Sequence, residues 1–252
     1  MPVTAWRILC AGRAGSIDFI EAVRLVRKRG EFMQQAVPPG VGAMAALLKL
    51  PEGRLDALLR EASMGEIVSA ANFNSPDQVV IAGHAGAVAR AIELAKAAGA
   101  RKAVALPVSA PFHCSLMHPA QEKMRAELGA ACFRDLEIPL VNNWQARQIE
   151  TGQEARLGLI EQIPKPVLWS QSIRCLVERG VTRFIEVGPG SVLIGLLRNI
   201  DSRLTGLKFG EAVDLPPLIP EALKIRLPLV PPNPKELERA HSILASRALF
   251  GT

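Results

Sequence analysis

Apolar residues recur along the chain at spacings that alternate between a helical period and a strand period. In residues 17–36 an apolar side chain returns every three or four positions, and Asp18 and Glu21 lie near the start, where the helix dipole favours anions. Residues 85–99 repeat this period in an alanine-rich sequence that ends in glycine. Both segments are therefore predicted to be helices that bury one face.

Between these helices, short apolar runs bounded by turn residues predict strands. A turn at residues 74–77 is predicted to join two of them, because Asn, Ser, Pro and Asp favour tight turns. The resulting order is the split, ferredoxin-like β-α-β-β-α-β unit, over residues 42–108. Its predicted strands are residues 42–50, 66–73, 78–83 and 102–108, and its predicted helices are residues 51–62 and 85–99.

After residue 108, predicted helices (119–132, 154–163, 169–180 and 191–200) alternate with predicted strands (138–143 and 182–190). Such alternation implies a mostly parallel sheet covered by helices. Frequent prolines interrupt any period after residue 212, which predicts a loosely attached tail. The chain is therefore predicted to be an α/β protein. Its predicted parts are a core (1–41 and 109–212), the ferredoxin-like subdomain (42–108) and a C-terminal tail (213–252).

The composition narrows the classes of function. The chain has 252 residues, 49% of them hydrophobic, which is enough for one large domain or two modest ones. Aromatic residues make up only 4% and include no tyrosine, so stacking on nucleic-acid bases is not expected. Lys and Arg are spread along a chain of net charge +6, which favours a solvated basic surface, and attraction of an acidic partner is the second interpretation.

The spacing of the cysteines indicates whether a metal site is expected, and the length of the apolar runs indicates whether a secretory signal or a membrane span is. The four cysteines form no C-x-x-C pair and no spacing typical of zinc. The first residues lack the apolar length of a secretory signal, and no later run is long enough to span a membrane. We therefore expect a protein of the reducing cytoplasm that binds neither membrane nor nucleic acid.

One histidine, His113, stands in the sequence "VSAPFHCSLMHP", directly after the last predicted strand of the ferredoxin-like unit. This position is a junction between predicted subdomains, where clefts tend to form. The residues alone allow a buried structural histidine or a general base, and they favour the structural role. A thiol nucleophile at Cys114 is disfavoured, because adjacent residues on a chain seldom face each other.

Six motifs occur in a fixed order along the chain. They are "AVRLVRKRGEFMQQAVP" (22–38), "NFNSPDQVVIAG" (72–83), "LPVSAPFHCSLMHPA" (106–120), "VNN" (141–143), "IEQIPKPVLW" (160–169) and "EVGPGSVLIGL" (186–196). Together they resemble the malonyl-CoA:acyl carrier protein transacylase (S-malonyltransferase) family of fatty acid biosynthesis. The resemblance extends from about residue 16 to about residue 212. It implies an α/β-hydrolase-like core, incomplete at the N-terminus, that carries an inserted ferredoxin-like subdomain.

The resemblance also implies roles for four residues. His113 matches the general base, which takes a proton from a serine hydroxyl and later protonates the leaving thiol. Arg29 matches the arginine that binds the free malonyl carboxylate, for which a guanidinium is well suited. Gln162 matches the residue whose backbone carbonyl orients the histidine, and Asn74 matches a residue lining the substrate region. The implied partners are malonyl-CoA and acyl carrier protein, and no metal or redox cofactor is implied.

The chain contains no G-x-S-x-G sequence, the elbow on which this family carries its nucleophilic serine. "ILCAG" (8–12) resembles the segment just after that elbow, so the N-terminal part with the nucleophile is expected to be lacking. Two other interpretations stay open: a catalytically dead fragment or remnant, and an acyltransferase domain of a larger polyketide-type synthase. Ser16 and Ser191 are candidate substitute nucleophiles, although no elbow pattern surrounds either. Malonyl and methylmalonyl substrates are not distinguished.

Overall fold

The computed structural model describes residues 6–211 and residue 214, so the predicted tail lies outside the described residues except for Asp214. The helices are α1 (Trp6–Arg13), α2 (Phe19–Gln35), α3 (Leu55–Ser63), α4 (Ala85–Ala97), α5 (His118–Ala130), α6 (Gly152–Glu161), α7 (Trp169–Glu178) and α8 (Val192–Ile200). The strands are β1 (Gly42–Leu48), β2 (Val68–Ser75), β3 (Gln78–His84), β4 (Lys102–Ala105), β5 (Leu140–Val141), β6 (Gln148–Ile149), β7 (Arg183–Val187) and β8 (Thr205–Phe209). The chain divides into two units, residues 1–175 and 176–252.

Strands β1 to β4 form one antiparallel sheet in the order β2-β3-β1-β4. Along the chain they alternate with α3 and α4 in the predicted order β-α-β-β-α-β. Alternate residues of β1 belong to two different apolar clusters, since successive side chains of a strand point to opposite faces. Ala45 and Leu47 pack with α4, whereas Met44 and Ala46 pack on the other face. The sheet is therefore apolar on both sides.

The two faces of this sheet have different neighbours. On one face, Ala91 and Ala95 of α4 are fully buried against the strands, and their small side chains let the helix approach closely. On the other face, the cluster includes Cys114, with Phe112 packed against it. The segment that carries His113 is thereby held against the sheet.

A third apolar cluster packs helices of the first unit against one another. It contains Leu25 and Met33 of α2, Met124 and Leu128 of α5, and Leu159 of α6. Asp18 begins α2 as its N-cap, because its side chain accepts hydrogen bonds from the backbone N–H groups of residues 20 and 21. These contacts explain why the helical period predicted this helix well.

The prediction of a mostly parallel sheet after residue 108 holds for β7 and β8, which pair in parallel, and fails for β5 and β6, which pair antiparallel. The four-stranded sheet of the first unit is antiparallel throughout, and an isolated parallel bridge joins Asn72 to Val167. Of the strand predicted at residues 138–143, only β5 is formed. The Asn142 side chain accepts a hydrogen bond from the Gln145 backbone N–H at 2.9 Å, and this turn returns the chain at once to pair with β6. A tight turn of this kind precludes the helical crossover that a parallel pair needs.

Three elements were not predicted, namely α1, the two-residue strand β6 and strand β8. Helix α1 is too short, at eight residues, for its period to be distinctive. Strand β8 pairs with β7 in parallel through α8, so residues 183–209 of the second unit form a β-α-β unit. The Glu186 carboxylate of β7 accepts hydrogen bonds from two backbone N–H groups in the first turn of α8, at 3.1 and 2.9 Å, and so stabilises the start of that helix. Among the described residues, no helix has the length and apolar character needed to cross a membrane.

Gly83 of β3 provides a test of the antiparallel sheet. A Cβ atom at this position would lie 2.0 Å from the Ile67 carbonyl oxygen, which belongs to the backbone and cannot rotate away. We expect Gly83→Ala to lower the free energy of unfolding by about 1–3 kcal/mol, as for other overpacked sites. Urea unfolding measures this change.

The matched control is Gly30→Ala in the middle of α2, where a Cβ atom would meet nothing within 4 Å. This substitution is expected to raise the free energy of unfolding by about 0.5–1 kcal/mol, because alanine favours the helix and restricts the unfolded chain. Equal stabilities for the two variants would contradict the described approach of β3 to the backbone at Ile67.

Candidate active site

His113 is buried, with 3% of its surface exposed, and has a left-handed backbone conformation with φ of 62°. Such a φ is uncommon for a residue with a side chain, and it costs free energy that the surrounding packing must offset. The packing is visible on both sides, since Pro111 is fully buried before His113 and Cys114 is buried after it. Strained backbone of this kind is typical of functional sites.

The imidazole ring of His113 is held by two backbone carbonyls. Its Nδ1 lies 3.0 Å from the carbonyl oxygen of Gln162 and 3.1 Å from that of Lys165. A carbonyl oxygen can only accept, so Nδ1 must carry the hydrogen and donate it. In the neutral ring the lone pair then belongs to Nε2, which is the tautomer that a general base requires.

Gln162 supplies one of these carbonyls from the end of α6. Its backbone N–H donates to the Gly158 carbonyl at 3.1 Å, which continues the helical bonding and fixes the direction of the Gln162 carbonyl. The side chain is 1% exposed and lines a small, mostly apolar cavity of about 80 Å³ together with Ile149 and Leu159. No motif in the sequence indicated this cavity.

Arg29 lies on the buried face of α2, with 2% of its surface exposed. It is four residues from Leu25 and four from Met33, so the three side chains share one helix face. That face belongs to the cluster that also contains Ala110 and Met117, which flank His113 in sequence. The structure therefore brings α2 and the His113 segment into one packed region. Burial removes water from the guanidinium and lowers the pKa of Arg29 to about 10, so it remains a cation at neutral pH.

The neighbouring cations of α2 differ from Arg29. Arg24 forms an ion pair with Glu21, Arg27 with Glu31, and Lys28 with Glu127 of α5. All three pairs are partly exposed to solvent, where such pairs contribute little to stability. Among these four cations, only Arg29 is carried into the interior.

Asn74 does not lie in a turn. Strand β2 continues through Asn74 to Ser75, and the turn itself is confined to Pro76 and Asp77. The strand is tied to the loop after α6, because the Phe73 N–H donates to the Val167 carbonyl at 2.9 Å and the Val167 N–H donates to the Ala71 carbonyl at 2.8 Å. Asn74 is thus half-buried on a strand that is bonded to the loop holding His113.

Two other histidines, His84 and His118, and the candidate nucleophile Ser16 have hydrogen-bond partners. The His84 Nδ1 accepts a hydrogen bond from the Ile67 N–H, and the His118 Nδ1 lies 3.0 Å from the Gln121 side-chain oxygen. The Ser16 hydroxyl is fully buried and donates to the Arg134 carbonyl at 2.8 Å, which removes it from a nucleophilic role. Ser191 is the N-cap residue of α8 in the second unit. No cluster of metal-ligating side chains occurs among the residues that the structure describes.

Sequence reasoning missed the second carbonyl, that of Lys165. A signal was present, because Lys165 lies between Pro164 and Pro166. Helical backbone angles are disfavoured for a residue that precedes a proline, which applies to both Ile163 and Lys165. Helix α6 therefore ends before Pro164, and the carbonyls that follow turn away from the helix axis. The motif was noted without this consequence.

Comparison with known proteins identifies the family. The family model for the acyl transferase domain matches residues 8–208. The chain is 48% identical over 198 residues to the malonyl CoA-acyl carrier protein transacylase of Escherichia coli K12, which covers 79% of this chain and 64% of that protein. The chain belongs to the malonyl CoA-acyl carrier protein transacylase family. It thus spans slightly less than two thirds of the length of this relative.

Solved structures of transacylases agree with this assignment. The acyl-carrier-protein S-malonyltransferase of Burkholderia pseudomallei is 41% identical, with a TM-score of 0.80, over 82% of this chain and 68% of that one. A malonyl-transacylase solved in complex with a type II PKS acyl-carrier protein is 41% identical, with a TM-score of 0.81, over 83% of this chain and 68% of that one. The α/β fold, with a mixed set of strands and packed helices, is therefore that of the transacylases.

The thiol of Cys114 is unsuited to act as a nucleophile. Burial raises the pKa of Cys114 to about 11, although a hydrogen bond with the backbone of Leu116 opposes this. The thiol also donates to the Pro111 carbonyl at 3.1 Å. We expect N-ethylmaleimide at pH 8 to label the exposed Cys132 readily but to leave Cys114 unlabelled until the protein is unfolded.

Peptide mass spectrometry after brief labelling, with and without urea, measures this difference. Cys132 serves as the internal control for reagent activity. Labelling of Cys114 in the folded protein at a rate near that of Cys132 would contradict the described burial.

Proposed function

We propose that this chain takes part in the transfer of a malonyl group from malonyl-CoA to the phosphopantetheine thiol of acyl carrier protein. The observation that carries the proposal is the pair of carbonyls on the His113 Nδ1, which leaves Nε2 as the base. A buried cation, Arg29, belongs to the same packed region and supplies the counter-charge for a dicarboxylic acyl group. Membership of the transacylase family supports the same reaction.

In the proposed chemistry, the His113 Nε2 accepts the proton of a hydroxyl as its oxygen attacks the malonyl thioester carbon. The carbon–sulfur bond then breaks, and the imidazolium returns the proton to the sulfur of coenzyme A. In the second half, the same nitrogen accepts the proton of the phosphopantetheine thiol as its sulfur attacks the acyl ester, and the proton goes back to the hydroxyl oxygen. A positioned base of this type contributes about 10²–10⁴-fold to a rate.

Gln162 and Lys165 are assigned to orientation. The imidazolium formed during each half-reaction keeps its Nδ1 hydrogen on their carbonyl oxygens, whose partial negative charges stabilise the cation. Asn74 is assigned to the wall of the substrate region, because its strand is bonded to the same loop. The hydroxyl that receives the acyl group is the remaining participant, and the chain has no G-x-S-x-G sequence to supply it.

Arg29 is assigned to the malonyl carboxylate. A guanidinium can form two parallel hydrogen bonds with a carboxylate, and both groups stay ionised at neutral pH. Burial strengthens this interaction, because few water molecules compete for the guanidinium. An acetyl group, which has no free carboxylate, would not form this pair with the guanidinium.

The proposal extends to the fold, the partner and the location. We infer that the sheet β2-β3-β1-β4 with its two helices is a ferredoxin-like subdomain (42–108) inserted into an α/β-hydrolase-like core (1–41 and 109–212). The net charge of +6 suits an acidic acyl carrier protein. The proposed location is the cytoplasm.

Incubation with labelled malonyl-CoA tests the reaction. The expected result is a covalent malonyl adduct on a hydroxyl, located by peptide mass spectrometry, and transfer of the label to holo acyl carrier protein. His113→Ala is expected to lower the transfer rate by about 10²–10⁴-fold, because the base is lost. His84→Ala is the matched control, since His84 has a partner elsewhere. The absence of both adduct and transfer would favour the non-catalytic alternative.

Ligand-induced stabilisation tests the role of Arg29 without requiring turnover. Malonyl-CoA at about 100 times its Kd is expected to raise the melting temperature by about 5–10 °C, whereas acetyl-CoA is expected to have a smaller effect. Arg29→Met should remove the difference between the two thioesters. Arg24→Met, which removes an exposed cation of the same helix, should preserve it.

Differential scanning fluorimetry measures these shifts. Equal stabilisation of the wild-type chain by malonyl-CoA and acetyl-CoA would contradict the assignment of Arg29. A difference that persists in Arg29→Met would contradict it as well.

A further inference from the structure

The loop after α6 presents two carbonyls to one nitrogen, and the two are not held in the same way. Gln162 continues the hydrogen bonding of α6 through its own N–H, so its carbonyl is fixed by the helix. Lys165 lies three residues further on, between Pro164 and Pro166, neither of which has an N–H to donate. The backbone hydrogen bonds of Val167 fix the end of this loop, and contacts of the Lys165 side chain are the other restraint on the Lys165 carbonyl.

Those side-chain contacts are well defined. The Lys165 Nζ lies 2.8 Å from the Glu161 Oε2, at the last residue of α6. The same ammonium lies 4.2 Å from the centroid of the Trp144 ring, within the range of a cation–π interaction. Trp144 itself packs beside Gly158 of α6, because a Cβ atom at Gly158 would lie 3.7 Å from the indole Nε1. The ammonium thus lies near both the Glu161 carboxylate at the end of α6 and the ring of Trp144, which packs beside the same helix.

Glu161 is in turn held by α5. The Arg125 Nη2 lies 3.6 Å from Glu161, and the Gln121 Nε2 donates to it at 3.4 Å. The carboxylate is only partly exposed, and its hydrogen bond with Lys165 lowers the pKa of Glu161, so it is anionic at neutral pH. The Glu161 carboxylate is therefore held in place by α5. In this respect its ion pair with Lys165 differs from an exposed pair in which both side chains are flexible.

We propose that Lys165 is a positioning residue, whose ion pair with Glu161 and contact with Trp144 hold the second carbonyl acceptor on the His113 Nδ1. This inference rests on the proposed function only for its effect on rate. Its structural consequence is independent of turnover. With both carbonyls in place, the Nδ1–H tautomer of His113 gains a second acceptor, and the alternative Nε2–H tautomer would place the Nδ1 lone pair against two carbonyl oxygens.

The experiment is to measure the tautomer of His113 by nitrogen-15 NMR of the ligand-free chain, with the His113 signals assigned from their loss in His113→Asn. His84 provides an internal reference, because its Nδ1 accepts a hydrogen bond and it must carry its hydrogen on Nε2. In the wild-type chain His113 is expected to be of the Nδ1–H form. In Lys165→Met the Nε2–H population is expected to rise about tenfold, since an ion pair and a cation–π contact are lost together.

Two further variants make the test specific. Lys165→Arg is expected to restore the wild-type tautomer, because a guanidinium can both pair with Glu161 and stack on Trp144. Arg147→Met removes an ion pair of similar length and exposure at the other end of α6, with Glu154 at 2.9 Å, and is expected to leave the tautomer unchanged. An unchanged tautomer in Lys165→Met would overturn the proposal. So would an equal change in Arg147→Met, or a failure of Lys165→Arg to reverse the change.

The outcome is separable from that of the proposed function. If the wild-type chain transfers malonyl, Lys165→Met should lower kcat by about tenfold with little change in the KM for malonyl-CoA, because Arg29 is untouched. If the wild-type chain transfers nothing, a tautomer that shifts in Lys165→Met and returns in Lys165→Arg still supports the positioning role and counts against the transfer reaction alone. Transfer that is normal in Lys165→Met, with an unshifted tautomer, overturns the positioning role and leaves the reaction intact.

Discussion

The hydrogen bonds from one imidazole nitrogen to two backbone carbonyls are the constraint on which the rest of the site depends. They require His113 to adopt a left-handed backbone, α6 to end at Glu161, and the following loop to curve back toward the sheet. The loop can do so because Val167 pairs with the edge of β2. The four-stranded sheet and the loop after α6, which are distant in sequence, thus meet at His113. The packing of the first unit therefore determines the geometry of the imidazole.

Much of the fold was accessible from local patterns. Helix α2 was predicted because its apolar period, its N-cap Asp18 and its buried face all agree, and the order β-α-β-β-α-β followed from short apolar runs. The antiparallel pairing of β5 with β6 was not accessible. It depends on a side-chain hydrogen bond of Asn142 that closes a tight turn, and a predicted alternation of helices and strands contains no information about such a bond.

The site was predictable to a different extent. Position within motifs indicated His113, Arg29 and Gln162, whereas residues alone favoured a structural histidine. Helical spacing places Arg29 on the same face as Leu25 and Met33, which is why it is buried. Three other cations of the helix lie near solvent. The apolar face of the helix therefore decides which of its cations is buried. Pro164 and Pro166 indicated that the helix ends before Lys165, but whether the Lys165 carbonyl meets the His113 ring depends on how the loop packs, which the prolines alone do not determine.

Arg29 and the basic surface place positive charge in two settings that salt affects differently. Charges on the surface act through solvent, where ions at physiological strength screen attraction beyond about 8 Å. The guanidinium inside the helical layer is shielded from those ions by the protein itself. Raising the ionic strength should therefore weaken the attraction of the surface for an acidic partner more than any contact of the buried Arg29 with a carboxylate. The rate at which a charged partner arrives and the strength with which Arg29 binds a carboxylate therefore respond differently to salt.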